Sequence, residues 1–215
     1  MKFTIVSVCL LCVGANAAFA DPISFAQDDI GHPPKGWTTT KTGRGTPKWT
    51  VERDDKEPGS ALILQQSGTA SYPLALTDAP VIADGTIEVQ FKAMSGKEDR
   101  AAGLVWRAKD VDNYYVVRAN ALEDNVVLYK TVSGVRSSLY SVGKKDGYGV
   151  NVPVPPATWH TLKVTFVGSR FKVSYNGKDL FEVDDKTFAG EGKVGVWTKA
   201  DSVTRFKNFN VSAGK

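Results

Sequence analysis

From Trp159 to Val211 almost every second residue is apolar. Leu162, Val164 and Phe166 alternate with Lys163 and Thr165, and Phe171, Val173 and Tyr175 alternate with Lys172 and Ser174. Gly168-Ser169 and Asn176-Gly177 break these runs, and Asn-Gly accepts the positive φ of a tight hairpin turn at low cost. Leu180, Phe181 and Val183 follow, then Val194, Val196 and Trp197, then Val203, Phe206, Phe209 and Val211. Period-2 alternation with turns about every 8–12 residues predicts an antiparallel sandwich or barrel, not an α/β fold. No segment carries the apolar stripe of a helix.

The same rhythm predicts strands over 48–53, 61–66, 85–93, 102–108, 114–121 and 126–132, with 139–142 continuing the meander. Trp37 and Trp49 bracket a polar stretch with Gly43 and Gly45 that reads as a loop, and 54–59 reads as a charged turn. Residues 143–156 hold three Gly and three Pro and read as one long irregular loop, a length usually tied to function or mobility.

The chain of 215 residues opens with Met1-Lys2, an apolar run to Val13 and Ala18-Phe19-Ala20. That order predicts a signal peptide over 1–20, leaving 21–215 as one exported domain, periplasmic or extracellular. The apolar run is too short for a membrane helix, which needs about 20 residues, so no membrane partner is expected after cleavage. The two cysteines, Cys9 and Cys12, both fall in the leader, which excludes thiol chemistry and disulfides from the remainder. A net charge of +4, evenly spread, argues against a nucleic-acid partner. Two histidines, His32 and His160, are too few for a zinc site, and His160 at a strand start reads as structural.

Six segments carry a resemblance to a known family: WHTLKV (Trp159 to Val164), YNGKDLFEV (Tyr175 to Val183), GKVGVWT (Gly192 to Thr198), FKNFNV (Phe206 to Val211), AAGLVWR (Ala101 to Arg107) and NYYVVR (Asn113 to Arg118). The chain resembles the concanavalin A-like, laminin G-like superfamily, and within it the bacterial 3-keto-disaccharide hydrolase domain, related in fold to family 16 glycoside hydrolases. The resemblance implies an all-β jelly-roll sandwich of two antiparallel sheets, with a ligand on the concave sheet. Relatives often hold calcium where the N-terminal segment meets the last strand, and Asp28-Asp29 could supply ligands. Lys207, in the place where relatives often carry an acid, would repel the ion, so no cofactor is expected.

Alternation assigns side chains to faces. With Ile87, Val89 and Phe91 as core, Glu88 and Gln90 face outward. Arg107 shares a side with Gly103 and Val105; Tyr114, Val116, Arg118 and Asn120 share another; Lys130 goes with Val126 and Leu128; Trp197 and Lys199 go with Gly195. These combine into one expected concave face of Glu88, Gln90, Arg107, Tyr114, Arg118, Asn120, Lys130, Trp197 and Lys199. Such a face would offer a ring to stack on a sugar and planar groups for its hydroxyls. It reads equally as a solvated cross-strand charge ladder.

Glu52, Asp54 and Glu57 match the E-x-D-x-x-E spacing of family 16 catalytic carboxylates, but the charged residues between them and Pro58-Gly59 after them read as an exposed turn. The sequence identifies no catalytic residue. Its first functional reading is a domain that binds or processes an oligo- or polysaccharide. A 3-keto-disaccharide hydrolase and an exported protein-interaction domain stand as alternatives.

Overall fold

The computed structural model describes residue 23, residues 25–55 and residues 61–214. The predicted leader, 1–20, lies outside the described residues, as does Glu57. Fifteen strands run through the described residues: β1 (Trp37–Thr46), β2 (Trp49–Asp54), β3 (Ala61–Gln66), β4 (Thr69–Thr77), β5 (Gly85–Ser95), β6 (Ala101–Asp110), β7 (Asn113–Asn120), β8 (Asn125–Val132), β9 (Val135–Ser138), β10 (Val150–Asn151), β11 (Trp159–Val167), β12 (Arg170–Tyr175), β13 (Lys178–Asp184), β14 (Lys193–Trp197) and β15 (Val203–Ala213).

They form two antiparallel sheets. One runs β1-β4-β14-β6-β7-β8, with β9 and β10 both paired to the far edge of β8. The other runs β13-β12-β11-β5-β15-β3-β2. This is the jelly-roll sandwich that the alternation and the resemblance predict.

The inner faces meet in one core that includes Leu104, Trp106, Tyr115, Val117 and Leu128 from the first sheet and Ile87, Val89, Phe91, Leu162, Val164 and Phe206 from the second. A second apolar cluster lies on the outer side of the eight-stranded sheet: Leu74, Leu76, Val105, Tyr114, Val116, Val127, Tyr129 and Trp197. A sheet normally turns polar residues to solvent on its outer face. Curling explains the exception. β1 and β7 are separated by β4, β14 and β6, yet Tyr114 Oη lies 2.9 Å from Thr42 Oγ1 across that outer face. Since Thr42 Oγ1 donates to the Val111 carbonyl at 2.5 Å, the Tyr114 hydroxyl is the donor to Thr42.

Four sequence expectations give way. Residues 37–46 are a strand, not a loop; β1 carries Trp37 and five threonines, is bulged between Thr42 and Gly45, and lies at the sheet edge. β4, which the alternation missed, is central to the curled sheet. The meander continues through β9, four residues before the expected 139–142, and 143–156 contains β10. Asp54, expected to open a turn, ends β2, on the same strand as Glu52. Asp54 is buried and accepts from Arg205 at 3.0 Å, while Glu52 accepts from Thr50 and Gln65.

Candidate functional site

The outer face of the curled sheet carries the candidate site, referred to below as the groove. Its floor is the outer apolar cluster, and Gly103 leaves room for it: a Cβ there would stand 3.2 Å from Trp197 Cε3. Tyr72 stacks on Trp197, with ring centroids 5.6 Å apart and planes 21° apart. One end is closed where Thr42 meets Tyr114 and where the β8–β9 turn packs on the 110–113 turn, Gly134 N donating to Asp112 O at 3.0 Å.

The other end is polar. Arg118, fully buried, donates from Nη1 and Nη2 to the two Glu123 oxygens at 3.0 and 2.8 Å, and from Nη2 to Asn125 Oδ1 at 2.6 Å. Asn120 Nδ2 donates to Glu123 at 2.8 Å and to Asp99 at 2.9 Å, and Lys199 Nζ reaches Asp99 at 2.5 Å. The chain Asn125–Arg118–Glu123–Asn120–Asp99–Lys199 thus crosses the end of the groove. Burial alone would raise the Glu123 carboxyl; hydrogen bonds from Arg118 and Asn125, with the charges of Arg118 and Lys199, outweigh it and hold the group below the usual carboxylate range. Asp99 is placed by the neighbouring turn, where Asp201 accepts the backbone N–H groups of Lys97, Glu98 and Asp99.

Two further groups stand over the floor. Arg136, on β9, lays its guanidinium 4.2 Å from the Tyr129 ring centroid, 4.9 Å from Tyr72 and 5.5 Å from Trp197. Tyr148, 47 % exposed, packs edge-on to Tyr129 and shares a short hydroxyl–hydroxyl hydrogen bond with it. Gly149 positions it at φ 62°, where a Cβ would come within 2.2 Å of the Val126 carbonyl. Beside the groove, a cavity of about 370 Å³ is lined by Arg44, Ser71, Tyr72, Glu98 and Lys199. That volume is within the usual range of ligand sites, about 300–1,000 Å³.

The nine residues expected on one face do not all share it. Tyr114, Arg118, Asn120, Trp197 and Lys199 belong to the groove; the first four are buried and shape it, and Lys199 is partly exposed. Arg107 is elsewhere. A bulge between Trp106 and Asp110 gives it φ 49° and rotates it to the inter-sheet side. There its guanidinium donates to the carbonyls of Ala83, Phe188 and Gly168 and to Asp84, at 2.7–3.1 Å. Lys130 shares the inner side with Val126 and Leu128, and its ammonium binds Asp185 at 2.8 Å. Glu88 and Gln90 lie on the outer face of the seven-stranded sheet, opposite Lys163 and Thr161. Sequence reading missed Tyr72, Asp99, Glu123, Arg136 and Tyr148. The Gly/Pro-rich 143–156 segment was a signal for Tyr148; Glu123 sat in a turn, where alternation assigns no face.

His160 is buried between Phe91 and Tyr175, donates from Nε2 to Pro155 O at 2.9 Å and accepts from Asn176 at 3.2 Å. It anchors the end of the 143–156 segment. Among the described residues no group of three or more His, Cys, Asp or Glu is arranged to hold a metal ion.

A sequence model of the 3-keto-alpha-glucoside-1,2-lyase-like domain matches residues 28–212. No curated protein matches the chain. Among solved structures, the carbohydrate-binding module CBM66 from Bacillus subtilis is similar over 83 % of this chain and 96 % of its own, with a TM-score of 0.65 and 23 % identity. A Bacillus subtilis protein of unknown function with a galectin-like fold covers 90 % and 96 % (TM-score 0.57, 13 % identity). The Bacillus licheniformis beta-glucanase covers 87 % and 96 % (TM-score 0.55, 12 % identity). At these identities the three likenesses concern the fold.

Proposed function

The chain belongs to the 3-keto-alpha-glucoside-1,2-lyase-like domain family, and from that premise we propose that its curled sheet binds a glycan in the groove of Tyr72, Tyr148, Glu123, Arg136 and Lys199. One observation carries the reading: an exposed Tyr148 and a partly exposed Tyr72 stand beside fixed polar groups, over a buried aromatic layer. Sugar rings offer an apolar C–H face to aromatic side chains, while their hydroxyls need oriented donors and acceptors. The exposed edge of Tyr148 and the partly exposed Tyr72 supply the first. Glu123 and Lys199, held by Arg118 and Asp99, supply the second. The likeness to CBM66, a carbohydrate-binding module, supports the same reading. Export follows from the leader expected over 1–20.

Titration of the purified protein with neutral and acidic oligosaccharides tests it. Tyr148→Ala and Lys199→Ala each weaken binding by about tenfold, near 1.4 kcal/mol, while Lys172→Ala on the opposite sheet leaves it unchanged. A protein that takes up no glycan, or whose binding ignores both groove substitutions, refutes it.

A second reading, turnover of a 3-keto-glucoside, is favoured by the family's description and by the Asp99 and Glu123 carboxylates bridged through Asn120. Release of product from a 3-keto-glucoside by the purified chain, lost on Glu123→Gln, tests it.

A further inference from the structure

The groove's cations differ in how they are matched. Arg118 meets Glu123 and Lys199 meets Asp99. Arg136 has no such partner among the described residues. It touches only rings, and its Nη1 is buried without a hydrogen bond. Arg136 as a whole is partly exposed. The nearest cavity adds a second cation, Arg44, on the same side of Tyr72 as Lys199 and Glu98.

We propose that the glycan is acidic, a uronic acid whose carboxylate pairs with Arg136 while its ring lies against Tyr72 and Tyr148. This rests on the groove being the glycan site. A bare guanidinium in an open groove is hydrated. A ligand covering the groove strips that water, and a neutral sugar would leave a desolvated cation without a counter-charge. A carboxylate removes the penalty and matches the planar guanidinium with two oxygens. The groove therefore discriminates against a neutral ligand as well as favouring an acidic one.

The test is calorimetric titration of the full chain with galacturonic, glucuronic and mannuronic acid oligosaccharides, each beside its methyl ester. At least one acid binds tenfold or more tightly than its ester. Arg136→Gln and Arg136→Met reduce that preference to under threefold, and Arg136→Lys keeps an intermediate preference. Tyr148→Ala weakens acid and ester alike. Circular dichroism melts confirm that each variant is folded. Equal binding of acid and ester overturns the acidic class, and an acid preference that survives Arg136→Gln overturns the pairing with Arg136; both leave the groove reading standing. Failure of every glycan, neutral or acidic, overturns both.

Discussion

Arg107 and Arg118 leave the curled sheet in opposite directions, although each lies in the middle of an apolar strand. Arg118 keeps the alternation of β7 and looks into the groove. Arg107, about 20 Å along β6 from the groove's polar end, is turned by a left-handed φ into the inter-sheet layer. Alternation is a rule about regular backbone, so Arg118 and Trp197 were legible and Arg107 was not: nothing in Trp106-Arg107-Ala108 announces a bulge. The buried Arg107 guanidinium satisfies three carbonyls and Asp84 at once. Arg107→Ala is expected to cost about 3 kcal/mol or more, because the carbonyls it leaves lack partners. Urea denaturation measures that loss, and glycan affinity in the groove stays within twofold. A variant as stable as the parent contradicts the structural role.

At the scale of elements, the strands that alternate strongly were legible, and the edges were not. β1 is rich in threonine and glycine, half exposed and bulged, so it resembles a loop in composition while its β-branched residues suit a strand. β9 and β10 are short, and both complete the edge of β8. They carry Arg136 and flank Tyr148, which places two of the groove's accessible groups on the least regular part of the sheet. Gly149 holds that part in place. Gly149→Ala is expected to cost about 1–3 kcal/mol, from a left-handed φ imposed on alanine and from the close approach to the Val126 carbonyl. Hydrogen exchange then rises at the Val152 amide, which donates to Asp124 O. Unchanged exchange there would show that β10 is not pinned at this glycine.

Over the whole molecule, the two-sheet architecture was legible because a packed sandwich imposes period 2 on most of the chain. The curl was not, since it depends on contacts between strands far apart in sequence, such as Thr42 with Tyr114. The same long-range bonds set the response to pH. In Asp185, burial alone would raise the pKa, but Lys130, Thr187 and Tyr115 outweigh it. In Asp201 burial is outweighed by the backbone N–H groups of Lys97, Asp99 and Glu98, and Glu123 is held low as described. All three bind protons less readily folded than unfolded. Their contribution is therefore complete above the ordinary carboxylate range, about pH 4–4.5, and is lost as pH falls through the lower folded values. Thermal melts are expected to be level from pH 7 to 5 and to drop steeply below pH 4; a flat profile down to pH 3 would contradict it.

The polar chain from Asn125 to Lys199 ties β8, β7 and the segment after β14 to the turn before β6 through shared acceptors. Because Glu123 and Asp99 each serve more than one donor, no member's energy is its own: removing Asn125 alters what Arg118 can give Glu123, and so what Asn120 and Lys199 can hold. Free energies along this path are collective, and sites too far apart to touch respond as one thermodynamic unit.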